Sequence, residues 1–410
     1  MERKIAVIGG GAAGMTAAIS AAGAGASVTI FEKNDRVGKK ILQTGNGRCN
    51  FSNENMGPLF FHGSGMALVD QVFSEFGVAQ TKEFFASLGM RIKERAGYLY
   101  PASDQASTVL DLLRYELERK HIVVHTGEPV RELSYDKKKE KFLAGRQGQG
   151  GYYDAVILSC GGCAAPNTGS DGDGFRLAKQ FGHRIITPVP ALVALRCKEM
   201  FYKQVAGVRC DAKLTLCVAG KRVCEERGEL QLTGYGISGI PTFQISCFAA
   251  RALQEKKPVT VRISFLPDFD EESCEAFFRA RLRDHGEDSM DMFLTGIVNK
   301  KISQLLLKLA GIREKERAKE VSDASFDRLW QFYCGFETEI VDTNGFDKAQ
   351  VSAGGVDCSE VTERLMSGKQ PGLYFAGEIL DIDGLCGGYN LQWAWSSGAV
   401  AGKAAVYDSY

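Results

Sequence analysis

No stretch of this sequence reaches the roughly eighteen consecutive apolar residues of a membrane span, so a membrane role is not expected. Net charge of one sign is also missing. The 50 basic residues balance 50 acidic ones, so composition supplies no pull toward nucleic acid, and none is expected as a partner. The N-terminus, Met1-Glu2-Arg3-Lys4, runs into a short apolar stretch and then glycines, without the apolar core and cleavage site of a signal peptide. Histidine is scarce: the 5 present do not cluster, and neither a Ser-His-Asp ordering nor metal-ligand spacing stands out. The 12 cysteines follow no framework spacing and read as mostly reduced, packed thiols, which makes a cytoplasmic location the expectation. What remains is an ordinary globular composition, 44% apolar and 24% charged. At 410 residues the chain exceeds one core, so two or three structural units are expected.

The chemistry begins at once. Ile5-Ala6-Val7-Ile8 has the length of a buried parallel strand, and "GGGAAG" follows, with Gly9, Gly11 and Gly14 fitting G-x-G-x-x-G. A helical run from Met15 to Ala24 leads to a second strand, "SVTIFE", ending on Glu32. Gly9 suits a tight turn, Gly11 a close pyrophosphate, and Gly14 close helix–strand packing, while the helix start faces the phosphates. Glu32 stands at the right distance for a ribose diol and disfavours a 2′-phosphate, so FAD or NAD is expected rather than NADP.

The next segment separates FAD from NAD. "KNDRVGKKILQTGNGRCNFSN" (33–53) is long, polar and basic, as suits a surface wrapping an extended ligand, with Lys39, Lys40 and Arg48 near phosphates or flavin oxygens. Thr44-Gly45-Asn46-Gly47 offers tight-turn backbone donors. Ala155 to Ser159 read as another parallel strand ending in Gly161-Gly162. This stretch and the Asp171-Gly172-Asp173-Gly174 run after it resemble the fumarate reductase and ketosteroid dehydrogenase flavoproteins.

Four ordered motifs carry a narrower resemblance: "VIGGGAAGMTAAISAA", "GKKILQTGNGRCNFSN", "YLYPASDQASTVL" and "LYFAGEILDIDGLCGGYNLQWAWSSG". Together they resemble the HI0933-like flavoprotein family, also labelled YhiN-like, BaiN-like or aminoacetone oxidase-like. The resemblance implies non-covalent FAD in a three-part α/β architecture, a doubly wound Rossmann-like domain with inserted β-barrel and helical subdomains. It also implies a set of cofactor contacts. Near the N-terminus these are Ala12, Ala13, Lys33, Lys40, Thr44, Gly45, Asn46, Arg48 and Cys49, with Val130 and Gly161 further on. Near the C-terminus Gly377 precedes Glu378, expected on the ribityl hydroxyls, with Asp383 favoured over Asp381 as its helper. Gly387 and Gly388 are expected to give the isoalloxazine clearance, and Asn390, Leu391 and Gln392 to form the first turn of a helix whose free N–H groups point at the N1/C2 edge.

The expected layout is a discontinuous FAD domain, 1–190 with 341–410, interrupted by a barrel-like insertion at 191–267 and a helical one at 268–340. "CGGC" (160–163) reads as small residues near the cofactor or a redox pair. Tyr100 and Tyr235 are the weak candidates for catalysis; "GYLYPASDQAS" also fits an ordinary helix cap. By family resemblance the reaction is reduction of a conjugated double bond in a 3-oxo, bile-acid-like substrate, or oxidation of a small amine such as aminoacetone with oxygen as acceptor. With one G-x-G-x-x-G opening a β-α-β pattern, at Gly9, Gly11 and Gly14, NAD(P)H binding transiently, or another protein, is the expected electron donor. A flavoprotein that modifies RNA is the competing class, against which the balanced charge weighs.

Overall fold

The computed structural model describes residues 2–145 and 150–408. Strand β1 (Lys4–Ile8), helix α1 (Ala12–Gly23) and β2 (Ser27–Glu32) open the chain as the expected β-α-β unit. The short strands β3 (Ser52–Asn53) and β4 (Phe61–Gly63), helices α2 (Met66–Glu75) and α3 (Val78–Ser87), and the hairpin β5 (Ile92–Arg95) and β6 (Tyr98–Pro101) come next. Helix α4 (Ala106–Arg119) leads to β7 (Val123–Thr126). An antiparallel set, β8 (Glu132–Asp136), β9 (Lys141–Gly145) and β10 (Gly151–Tyr153), precedes β11 (Ala155–Leu158) and α5 (Asp173–Gln180). Strand β12 (Ile185–Ala191) carries the chain into a second compact unit, 189–349.

That unit holds a closed antiparallel barrel and a helical layer. The barrel strands are β13 (Leu195–Cys197), β14 (Arg209–Val218), β15 (Lys221–Thr233), β16 (Gly236–Gly239), β17 (Val259–Ser264) and β18 (Phe336–Thr343). The helices are α6 (Ile240–Gln254), α7 (Glu271–His285), α8 (Met290–Leu294), α9 (Lys300–Ala310) and α10 (Asp323–Gly335). Alternation along β14 buries Ala212, Leu214 and Leu216, the period-two pattern of a strand with one wet face. The expected boundary between a barrel (191–267) and a helical insertion (268–340) is not what forms. β18, which follows the helices in sequence, pairs with both β17 and β13 and closes the barrel, and one apolar core runs through strands and helices. The first unit resumes at Gln350, nine residues later than the expected return at 341.

The chain ends in the first unit with β19 (Val351–Val356), β20 (Leu373–Phe375), β21 (Ile382–Gly384) and the long helix α11 (Tyr389–Tyr407). The parallel sheet runs β20-β11-β1-β2-β7, and β1, β11 and β20 are almost wholly buried, as a sheet covered on both faces requires. Helix α11 packs on α1 through glycine. A Cβ on Gly398 would lie 2.4 Å from the Ala13 carbonyl oxygen, and one on Gly402 2.3 Å from that of Ala17, so the two backbones touch. Gly402→Ala should therefore cost about 1–3 kcal/mol as overpacking; an unchanged urea midpoint would contradict this seam.

Ten cysteines are free, and Cys274 and Cys334 are paired between α7 and α10, so the expectation of mostly reduced thiols misses one bridge. Within "CGGC" the Cys160 thiol donates to the Ile8 carbonyl at 3.3 Å and the Cys163 N–H to Ser352 Oγ at 2.7 Å; each is engaged separately. Burial pushes the Cys49 and Cys358 thiols up to about 12. A thiol so raised stays protonated near pH 8 and is a poor nucleophile. Iodoacetamide should leave both unlabelled in the folded protein and label both in urea, as read by peptide mass spectrometry.

Candidate active site

The sheet order itself locates a crevice. From β1 the chain moves one way to β2 and β7, and later strands β11 and β20 are laid on the other side of β1. The strand order thus reverses at β1, and ligands of open α/β sheets bind beyond the C-terminal strand ends at such a point. Gly9 leaves β1 with φ +105°, donates its N–H to the Phe31 carbonyl at 2.8 Å, and has no room for a side chain: a Cβ would lie 2.5 Å from the Ser159 carbonyl oxygen. A Cβ on Gly14 would lie 1.9 Å from the Gly9 oxygen. Both glycines are dictated by the protein. Gly11 is not, because its φ is −80° and its Cβ would meet nothing within 4 Å. A glycine that the fold does not require, capping a helix whose first N–H groups (Ala12, Ala13, Gly14) lack intrahelical acceptors, forms a cradle that a side chain would fill.

Glu32 ends β2 at 7% exposure, its carboxylate accepting the Gly10 N–H at 2.8 Å, the Asn34 N–H at 2.8 Å and Asn34 Nδ2 at 2.7 Å. Gly127 and Glu128 donate to the carbonyls of Asn34 and Glu32, which brings the segment of buried Val130 to the same edge. Lys33 pairs with Asp171 and, at 3.5 Å, with Asp173, so the loops after β2 and β11 are stitched together. Gly161 turns there with φ +75°; a Cβ would lie 2.6 Å from Ser170 Oγ.

The 39–49 segment is a tight reversal. Thr44 Oγ1 donates to the Ile41 carbonyl, and Gly45, Asn46 and Cys49 are all left-handed, at φ 56°, 53° and 57°. Cys49 is wholly buried, whereas Gly45, Asn46 and Arg48 are exposed. Lys40 and Glu378, expected on different parts of the cofactor, meet each other: Nζ lies 2.8 Å from Oε2, with a second bond to the Ala164 carbonyl at 3.2 Å. Glu378 Oε1 accepts the Ser352 N–H at 2.9 Å. The pair ties the polar loop to the turn after β20.

Gly377 in that turn has φ +78°, and a Cβ would lie 2.8 Å from Ala13 Cβ. Its N–H donates to Ser397 Oγ, and its carbonyl accepts from Trp393 Nε1. The pairing of Gly398 with Ala13 and Gly402 with Ala17 makes α1 and α11 run in the same direction. Counted back at 1.5 Å per residue, the start of α11 lies about 12 Å beyond the start of α1. Two helix N-termini thus face the same way, one at the glycine cradle and one further along.

The start of α11 is built differently from expectation. Gly388 has φ +94°, and a Cβ would sit 2.5 Å from the Ser52 carbonyl oxygen; at Gly387 it would sit 2.8 Å from Tyr98 Cε1. Their surroundings are protein, so neighbouring chain accounts for the double glycine without clearance for a ligand. The Asn390 side chain is spent on the loop before it, accepting the Gly384 N–H at 2.8 Å and donating to the Gly384 carbonyl at 2.7 Å, which leaves its backbone N–H, with that of Leu391, in the first turn. Asp381 accepts the Ser64 N–H at 2.9 Å, while Asp383 pairs with His62 in the β21–β4 register; both aspartates are buried. Gln392, expected to offer a free N–H at the start of α11, instead donates it to the Gly388 carbonyl at 2.9 Å, and its wholly buried side chain accepts from Ser52 Oγ at 2.6 Å and donates to Thr81 and Ser396.

Tyr100 lies on β6 in this unit, half-buried. Tyr235 lies in the barrel unit, where its ring sits 5.7 Å from the Arg196 guanidinium and its carbonyl accepts the Cys197 N–H; the two do not share an element. His183 is a structural residue: Nε2 meets Ser367 Oγ at 2.7 Å and Nδ1 meets Glu360 at 3.1 Å.

Known proteins resemble the chain over its length. The 3-dehydro-bile acid delta(4,6)-reductase of Clostridium scindens is 45% identical, over 98% of this chain and 99% of that protein. The ribosomal RNA dihydrouridine synthase of Haemophilus influenzae is 28% identical, over 95% of both chains. A solved 3-ketosteroid-delta4-(5alpha)-dehydrogenase from Rhodococcus jostii is 16% identical with a TM-score of 0.49, covering 99% of this chain and 97% of that one, a likeness too remote to carry an argument. The profile of the HI0933-like protein Rossmann domain matches residues 3–404, and the chain belongs to that family.

Proposed function

We propose that the protein is an FAD-dependent oxidoreductase that saturates a carbon–carbon double bond conjugated to a carbonyl, with a 3-oxo, bile-acid-like steroid as substrate. Two parallel helix starts about 12 Å apart carry the cofactor reading, since they suit an extended ligand with a pyrophosphate at one end and a redox ring at the other. The Ala12, Ala13 and Gly14 N–H groups would take the pyrophosphate, with Gly11 giving the approach. Glu32 would take the ribose, the Val130 backbone the adenine, and the Lys40–Glu378 pair, with the 44–49 loop, the ribityl side. When bound, FAD supplies the hydride at its N5. The first turn of α11 would favour the negative charge that reduction leaves at the near edge, without a full positive charge. Electrons would come from NAD(P)H binding transiently or from a protein donor.

The substrate class rests on the end-to-end likeness to the bile-acid reductase. A second reading has its own observation, the 28% likeness to enzymes that act on ribosomal RNA. The uracil C5–C6 bond is also conjugated to a carbonyl, so one hydride chemistry would serve both. Balanced charge is a weak argument against it, because net charge says nothing of a local patch. Amine oxidation with oxygen as acceptor has no observation of this kind.

The yellow protein, reduced without oxygen and mixed separately with a 3-oxo-4-ene steroid and with a ribosomal RNA fragment, should reoxidise with the steroid and yield the saturated ketone. Reoxidation by RNA alone would transfer the assignment to the second reading, and fast reoxidation by oxygen alone would contradict both. Gly11→Ala tests the cradle without turnover. Its fold stability should stay at the wild-type value, since the added carbon meets no protein atom, while FAD binding weakens roughly tenfold. Unchanged FAD occupancy would remove the cradle.

A further inference from the structure

Saturating a conjugated double bond takes a hydride and a proton, and the site so far supplies only the hydride. The groups around the start of α11 are few enough to sort. Ser52 and Asn53 of β3 pair with Leu99 and Tyr98 of β6, and Asn53 Nδ2 donates to the Gly387 carbonyl at 3.0 Å. The sheet β3-β6-β5 is therefore pinned to the loop that begins α11. Alternation puts Tyr98 and Tyr100 on one face of β6 with buried Leu99 on the other. That shared face looks onto the helix start, because Tyr98 Cε1 is the atom a Gly387 Cβ would strike at 2.8 Å.

Most of the proton-bearing groups here are committed elsewhere. Tyr389 is buried, stacked on Phe60 at 4.9 Å with Phe61 edge-on. Tyr98 packs against Gly387. Lys93, opposite Tyr100 in the β5 register, is tied to Asp104. Tyr100 differs: it is half-buried where Tyr98 is exposed, and the charges of Arg48 and Arg95 act on its phenol. Burial holds that phenol protonated, and the cations of Arg48 and Arg95 favour the phenolate that donation would leave.

We propose that Tyr100 is the proton donor of the reaction, an inference that rests on the reductase reading above. With bound reduced FAD supplying a hydride, and so both electrons, to the carbon β to the carbonyl as the π bond opens, the Tyr100 O–H would break and deliver its proton to the α carbon. The phenolate, facing Arg48, recovers a proton from water through its half-exposed side.

The test is the FAD-loaded Tyr100→Phe protein beside wild type, with a 3-oxo-4-ene steroid in deuterated water. FAD content and calorimetric steroid affinity should be unchanged, turnover should fall by about 10²–10⁴-fold, the usual worth of a positioned acid, and deuterium should reach both faces of the α carbon instead of one. Arg48→Met should slow turnover by less while keeping single-face delivery. Wild-type turnover with single-face delivery in Tyr100→Phe, or loss of its FAD or steroid binding, would overturn the assignment alone. A wild-type protein that holds FAD and never saturates the steroid would overturn the reductase reading and the donor with it.

Discussion

Everything in the first unit hangs on the seam where α11 meets α1 without side chains between them. Gly398 and Gly402, one turn apart, present bare backbone to the Ala13 and Ala17 carbonyls. Close approach of this kind fixes rotation and translation together, because a shift along the seam would drive a Cβ into a carbonyl. Since Ala13 stands in the first turn of α1, the contact also sets how far α11 extends past the glycine cradle. The spacing of the two positive helix ends is thus a consequence of packing.

A second layer of contacts carries that placement outward. Trp395 Nε1 donates to the Phe51 carbonyl, Gln392 holds Ser52, and Gly388 admits the Ser52 backbone. β3 is in this way sewn to α11, and β6 follows by ladder hydrogen bonds. The Lys40–Glu378 pair does the same for the polar loop. It is only partly buried, so its direct contribution to stability is small, and its value lies in registering two segments 338 residues apart.

The first β-α-β unit was legible because its information is local: strand, glycine spacing and Glu32 fall within thirty-two residues. The parallel strand ending at Gly161 and the late strand–turn–helix were legible for the same reason. What escaped depends on partners far away in sequence. Gly388 looks like clearance for a ligand until Ser52 is seen against it, and Gln392 looks like a free helix-start donor until its N–H is seen on the Gly388 carbonyl and its side chain on Ser52. The barrel boundary was misplaced because β18 joins strands more than seventy residues upstream, and no spacing rule announces such a closure. Gly11 shows the reverse case, a residue that sequence pattern explains and the surrounding protein does not.

The central claim is that one extended cofactor lies along the line from the start of α1 to the start of α11. Hydrogen–deuterium exchange of the FAD-free and FAD-loaded protein reads both ends in one measurement. The account predicts that amides 11–14 and 389–391 gain protection together on loading. Protection at 11–14 with unchanged exchange at 389–391 would contradict it.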